Sequence, residues 1–199
     1  MPRLPKPSAD STNKSQLTPD DWIDAATALL VNKSIDAVRV EVLSKDLGVS
    51  RGSFYWHFRD RDDLLRQLLV RWRDRATEQI IDDFERRNMP PKELLRDLTK
   101  LPFRGDTARA ASAVELAIRA WARRDDMARQ FVDEVDHKPL SYIAQCFSAL
   151  GHAIAEARNR AFVLYAYEIS EGLLANQGTA EQREQRRAFV EQLLMHAPP

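Results

Sequence analysis

Ser50-Arg51-Gly52-Ser53 is the part of the chain whose side chains suit a specific chemistry. Set at the exposed start of a short helix, Arg51 can donate two hydrogen bonds to guanine O6 and N7, the commonest specific contact with a base edge. Gly52 keeps the helix slim where it must approach closely. Tyr55 and His57 are bulky, polar-tipped groups that can reach phosphates. No other stretch has the spacing of a catalytic centre. Gly-rich phosphate loops, His-Glu-x-x-His and paired Cys ligands are all missing from the sequence. His57, His137, His152 and His196 are scattered and lack ligand spacing. Cys146 sits in an apolar stripe and reads as an inert core thiol. The expectation is a non-enzyme with no metal and no cofactor.

Elements must hold that run in place. A short helix at 40–47 turns Leu43 and Leu47 inward. Gly48 can take the left-handed conformation that ends it, and Ser50 can cap the next helix, at 50–57. Leu43, Leu47, Val49 and Phe54 can pack the two at a wide angle, which is a helix-turn-helix. The start of its second helix is the end that enters a major groove. Upstream, Thr18-Pro19-Asp20-Asp21 combines a cap, a first-turn proline and two acids at the positive helix end. Trp22, Ala25, Ala26, Leu29 and Leu30 then make one apolar stripe, giving a helix at 18–32. Downstream, Asp60 caps a helix carrying Leu64, Leu65, Leu68, Leu69 and Trp72 to Arg87, about 28 residues and about 42 Å long. Its Arg71-to-Arg75 run reads as a solvated face.

Asn88-Met89-Pro90-Pro91 breaks the pattern. Further helices are expected near 92–101, 106–123, 125–150, 154–175 and 179–195, with Pro139 kinking or interrupting the third. Residues 1–17, with Pro2, Pro5 and Pro7, read as a flexible tail. A basic arm of this kind can reach a groove, although an unstructured terminus is the commoner case.

The chain has 199 residues with 30 Lys plus Arg and 30 Asp plus Glu, a formal charge of zero, and it is 44% apolar. That composition excludes a disordered, collagen-like or disulfide-rich chain. No apolar run approaches the roughly 18 to 20 residues of a membrane span, so no membrane partner is expected. One cysteine fits a reducing interior, and the expected location is the cytoplasm. Residues 39–75 carry nine basic and six acidic side chains. Any basic surface must therefore arise from placement rather than from number.

The run from Val40 to Leu65, and above all Gly48-Val49-Ser50-Arg51-Gly52-Ser53-Phe54-Tyr55-Trp56-His57-Phe58 followed by a charged turn and Leu64-Leu65, resembles the DNA-binding signature of the tetracycline-repressor (TetR/AcrR) family. The likeness covers roughly residues 18–75. The rest is similar to the family only in length and helical character. The resemblance implies a homodimeric transcription regulator, usually a repressor, that binds a palindromic double-stranded DNA operator. A small-molecule effector in the C-terminal domain would shift the long helix and spread the two reading heads. By the same resemblance Arg51, Gly52 and Ser53 face bases, while Ser50, Tyr55, His57 and Arg61 touch the backbone. Trp56 falls where the family varies, between DNA contact and contact with its own domain. Arg39 stands where the family often has a capping Thr, and it and Lys45 are assigned to phosphates.

The expected architecture is all-α: a flexible tail at 1–17, a three-helix helix-turn-helix domain at 18–66, and a helical regulatory and dimerisation domain at 67–199 joined through the long helix. Candidate pocket residues are Phe103, Glu115, Ile118, Arg119, Trp121, Phe131, Tyr142 and Phe147, with an apolar or aromatic effector favoured. His137 and His152 are further polar groups set among the apolar stripes there. Glu115 and Arg119, four apart, can equally pair with each other. The dimer interface is assigned to Leu164, Tyr165, Glu168, Ile169, Gly172 and Leu173 on one helix, and to Phe189 and Leu193, with Val190 and Leu194, on the next. Gly172 would admit a partner helix. Two other readings stand beside this one: a ligand-independent regulator with a filled C-terminal core, and a helical interaction or carrier protein that does not bind DNA. The assignment of Arg51 has a direct check: Arg51→Ala should cost about 1–3 kcal/mol of binding at one position of the DNA site, whereas an equal loss on all sequences would remove it from the base-reading set.

Overall fold

The computed structural model describes residues 17–174 and 177–195, and all its regular elements are helical. The expected tail, apart from Leu17, and His196 lie outside the described residues. Helix α1 spans Pro19–Asn32. Thr18 and Asp21 form a reciprocal capping box, with the Thr18 amide donating to the Asp21 carboxylate at 2.7 Å. A 3₁₀ turn at Ile35–Ala37 leads to α2, Val40–Asp46, and then to the single helical turn α3, Arg51–Phe54. Helix α4, Arg61–Arg73, is capped by Asp60, whose carboxylate accepts from the Asp63 amide at 2.8 Å.

The expected long helix is present but not uniform. Asp74–Glu78 forms a π turn before α5, Gln79–Arg87. Asn88, at a left-handed φ of 44°, ends the rod ahead of Pro90 and Pro91. Helices α6 (Pro91–Leu98), α7 (Gly105–Ala122), α8 (Asp126–Ala149), α9 (Ile154–Leu173) and α10 (Ala180–Leu194) follow, with a second 3₁₀ turn at Leu101–Phe103. Pro139 lies inside α8, which continues through it. Lacking an N–H, it leaves the Val135 carbonyl without its usual helical donor.

Two buried clusters hold the chain together. The first joins Trp22, Leu43, Phe54, Phe58, Leu64, Leu68, Leu69 and Trp72 to Ile118, Trp121, Ala128 and Phe131, beyond the head. The helix α4 runs uninterrupted past residue 66, and this cluster crosses that point. The second gathers Phe84, Leu95, Ile143, Cys146, Phe147, Leu164 and Leu194 around α8 and α9. Burial pushes the Cys146 thiol up to about 11, which keeps it protonated and inert.

The Arg71-to-Arg75 run is not a solvated face. Arg71 pairs with Asp20 and Asp24 of α1 at 3.3 and 2.6 Å. Trp72 is buried. Arg73 pairs with Glu134 of α8 at 3.3 Å and lies over the Phe131 ring. Together they clamp the head onto the helical body.

Gly172 approaches a neighbour, but within its own subunit. A Cβ built there would lie 2.6 Å from Ser112 Oγ and 3.0 Å from Ser112 Cβ on α7. The close approach assigned from sequence to a partner helix is thus the α7–α9 packing. Gly172→Ala should destabilise the fold by about 1–3 kcal/mol through overpacking, measured as a lowered melting temperature; an unchanged melt would show that α7 and α9 separate freely.

Candidate nucleic-acid interface and interior cavity

The turn between α2 and α3 follows from a few backbone bonds. The amide of Val49 donates to the Ser44 carbonyl at 3.0 Å and that of Gly48 to Lys45 at 3.2 Å, with Gly48 at φ 67°. This is a Schellman motif, and the left-handed glycine is what it requires. Fully buried Phe54 then anchors α3, packed edge-on against Trp22 at 5.3 Å and stacked with Phe58 at 5.2 Å. Because α3 is held from beneath by one aromatic, its other residues point outward.

Arg39, Lys45, Ser50, Arg51, Gly52, Tyr55 and Trp56 are all exposed, while Ser53 and His57 are half-buried. Trp56, at 86% exposure, makes no core contribution. Ser50 stands at the cap position, but its hydroxyl makes no capping bond, so it stays available to a partner. Arg39 likewise makes no side-chain cap for α2. A Cβ on Gly52 would meet only Ser50 Oγ at 3.6 Å, so packing within the subunit does not require glycine there. Arg51 pairs with Glu41 at 2.9 Å, both largely exposed. Such a pair contributes little in water, so another acceptor can displace Glu41 at small cost.

Arg61 is engaged otherwise than expected. Its Nε donates to the Val38 carbonyl at 2.6 Å and its Nη2 to Ile35 at 2.8 Å. These bonds fix the segment before α2 to the start of α4. Arg61 thus positions the head, a role that sequence spacing could not reveal because its partners lie 23 and 26 residues away.

A cavity of about 710 Å³ opens between the α4–α5 rod, α7, α8 and α9. Its apolar wall includes Leu68, Trp72, Ile80, Phe84, Val114 and Ile143. Of the expected pocket residues, Glu115, Arg119 and Tyr142 line it. Ile118, Trp121 and Phe131 are instead buried in the cluster beneath the head, because the C-terminal half of α7 and the start of α8 run on under α1 and α4. Phe147 is fully buried in the second cluster, and Phe103 packs at its edge. His137 lies in a separate surface groove with Arg73, Glu134 and Lys138. His152 is buried against Phe147, 3.3 Å from Glu156.

The residues missed by sequence reasoning come largely from α9. Tyr165, Glu168, Ile169, Gly172 and Leu173 line the cavity, and Leu164 is fully buried in the second cluster. Most of the stripe assigned to a partner subunit is therefore covered by α7 and α8 of the same chain. Only Leu173 of that set is largely exposed, together with Phe189 and Leu193 on α10. Leu194 is buried and Val190 half-buried.

A polar network sits on one wall. Arg119 donates to Glu115 at 2.8 and 3.0 Å and to both oxygens of Asp136. The Tyr165 hydroxyl donates to Asp136 at 2.7 Å. Burial opposes the charge on Arg119, but Asp136 and Glu115 more than offset it and hold the guanidinium protonated. Burial, then the hydrogen bond to Asp136, pushes the Tyr165 hydroxyl far above its ordinary value. Glu168 is different. Its Oε1 is buried with no hydrogen-bond partner, and burial, reinforced by Glu115, raises its carboxyl well above 4.5.

This is a helix-turn-helix head set on a helical body with an interior cavity. Residues 23–68 match the family described as bacterial regulatory proteins, tetR family. That match covers the helix-turn-helix head alone, and over it the chain is similar to the family's amino-terminal domain. It is 43% identical over 56 residues to the HTH-type transcriptional regulator YwcC of Bacillus subtilis, a stretch that is 28% of this chain and 25% of that one. The chain thus matches about a quarter of that relative's length. The whole fold is similar to a transcriptional regulator from Rhodococcus sp. Rha1, with a TM-score of 0.72 and 15% identity over 90% of this chain and 96% of the other. It is also similar to a regulator from Saccharomonospora viridis in complex with choline, with a TM-score of 0.69 and 18% identity over 89% and 95% of the two chains.

The raised Glu168 carboxyl carries a pH signature. The folded protein holds this proton more tightly than the unfolded chain, so the associated stability is complete below about 4.5 and is lost as pH rises toward the raised value. Glu168→Gln keeps the shape of the neutral acid. Its stability relative to the wild type, read from melts at a series of pH values, should grow as pH rises above about 4.5, at up to about 1.4 kcal/mol per pH unit; a margin independent of pH would mean that Glu168 is ionised throughout.

Proposed function

We propose that the protein is a ligand-responsive, sequence-specific DNA-binding regulator that acts in the cytoplasm as a homodimer, in the manner of a repressor on a palindromic operator. One observation carries the reading. A single helical rod begins at the base of the reading head, tied to it by Arg61, and goes on to supply the cavity wall with Leu68, Trp72, Thr77, Ile80, Ile81 and Phe84. Any molecule that prefers one arrangement of that wall biases the angle of the head. The solved structure holding choline supports small-molecule occupancy in this fold.

Arg51, Gly52 and Ser53 would read bases. Ser50, Tyr55, His57, Arg39 and Lys45 would reach phosphates, with exposed Trp56 at the edge of the contact. A second copy would cover the outer face of α9 and α10, where Phe162, Val163, Phe189 and Leu193 are exposed. Apolar groups gathered in this way mark an association surface. The π turn at Asp74–Glu78 supports the same reading, because such turns are local departures from helical packing that often accompany functional sites.

Selection of bound duplexes from a random pool at near-physiological salt, with light scattering of the free protein, tests the proposal. The expected result is a dimer and one palindromic site whose half-sites lie about one helical turn, or a multiple of it, apart. Binding should also weaken steeply with salt. A folded protein that enriches no sequence would favour a helical interaction or carrier module instead.

A further inference from the structure

Glu41 is the one acidic side chain that meets a base-reading candidate, among the described residues. Its Oε1 lies 2.9 Å from Nη2 of Arg51, across the turn from α2 to α3. Glu41 has no other hydrogen-bonding or ionic partner among the described residues. It stands on α2 between Arg39 and Lys45, and all three are exposed. Lys45, four residues on, shares its side of the helix. Arg39 and Lys45 are the groups set to reach phosphates. The Glu41 carboxylate thus sits within a surface that must face a polyanion, where it opposes binding to any sequence. The pair also adds little stability, because both partners are in water.

Its effect falls on Arg51. A guanidinium alone accepts a phosphate as well as a guanine, since both offer two acceptor atoms to its fork. An arginine free to do either adds affinity without sequence information. Glu41 separates the two. A phosphate brought to Arg51 carries a full negative charge toward the carboxylate and is repelled. Guanine O6 and N7 are neutral acceptors and meet far less opposition. Nε and Nη1 of Arg51 make no hydrogen bond among the described residues, so the fork keeps donors for a base edge with Glu41 still in place. Holding the side chain in one arrangement also lowers the ordering cost when it reads.

We propose that Glu41 is a positioning and specificity residue for DNA reading, which holds Arg51 for a base edge and repels phosphate from it. The inference rests on the DNA-reading proposal above and adds to it a residue of α2. Glu41 lowers affinity for all DNA and raises discrimination at the one base pair that Arg51 reads. Removing its charge therefore strengthens binding to unrelated DNA and weakens preference at one position. A residue that only supported the fold would lower both together.

Glu41→Gln keeps the shape of the side chain and removes its charge. The full-length wild type, Glu41→Gln, Arg51→Ala and the double variant are compared by fluorescence anisotropy. Each is titrated into the duplex that the wild type selects, into that duplex changed at each position in turn, and into an unrelated duplex of the same length. Melts establish that every variant is folded. The expected result is that Glu41→Gln binds the unrelated duplex about threefold more tightly at low salt, the size of one exposed charge interaction, with a gain that shrinks as salt rises. Discrimination should fall by a similar factor at the position where Arg51→Ala also loses it, and nowhere else. In the Arg51→Ala background the same change should leave discrimination as it was. A folded Glu41→Gln protein with unchanged or sharper discrimination at that position would overturn the inference. A loss from Arg51→Ala spread equally over all positions would do the same, and DNA binding would stand in both cases. A folded wild type that enriches no duplex would remove the DNA-reading proposal and this inference with it.

Discussion

The structure depends on one buried cluster that the reading head cannot complete by itself. A three-helix unit of some 50 residues encloses too little apolar surface to be robustly stable alone. Here Trp22, Phe54, Phe58 and the leucines of α4 are packed with Ile118, Trp121 and Phe131 from the helical body. The head thus takes part of its stability from the end of α7 and the start of α8. The same borrowing makes it responsive to them. Ion pairs from Arg71, Arg73 and Arg124 reinforce the junction at its surface, though exposed pairs contribute less than the buried contacts.

From that junction the rod continues into a region built differently. Where the α4 leucines are buried in the core, the rod beyond them faces the cavity. The polar groups there mostly satisfy one another, as the Arg119, Asp136, Glu115 and Tyr165 network shows. Glu168 departs from this rule, and so does Thr77, whose buried hydroxyl lacks a partner inside the π turn. Buried polar groups without partners are costly. Their position on the wall of one cavity is the pattern expected where a chain gives up stability for function.

Much of this was legible in the sequence, because the signals are local. Caps at Thr18 and Asp60, and the break at Asn88 to Pro91, mark helix ends through backbone hydrogen bonds within a few residues. The turn at Gly48 is legible for the same reason: only a left-handed residue closes that motif. The exposure of Arg51 at the start of the second helix was legible in the same way, whereas the sequence left Trp56 open and the helix, expected at 50–57, is a single turn at Arg51–Phe54.

Periodicity, however, reports that a face is covered and not what covers it. The stripe through Leu164, Glu168 and Gly172 was assigned to a second subunit, yet α7 and α8 of the same chain lie against it. Trp121 and Phe131 were assigned to a pocket, yet they support the head. Arg61, Arg71 and Arg73 looked like surface cations until their distant partners were in place. The π turn has no sequence signature, and Pro139 is tolerated in mid-helix. The sequence alone therefore determined the helices, their ends and the reading motif, all set by contacts within a turn or two of the chain. Only the tertiary structure decided which faces meet, where the cavity lies and that Glu168 opens into it, because those depend on residues far apart in sequence.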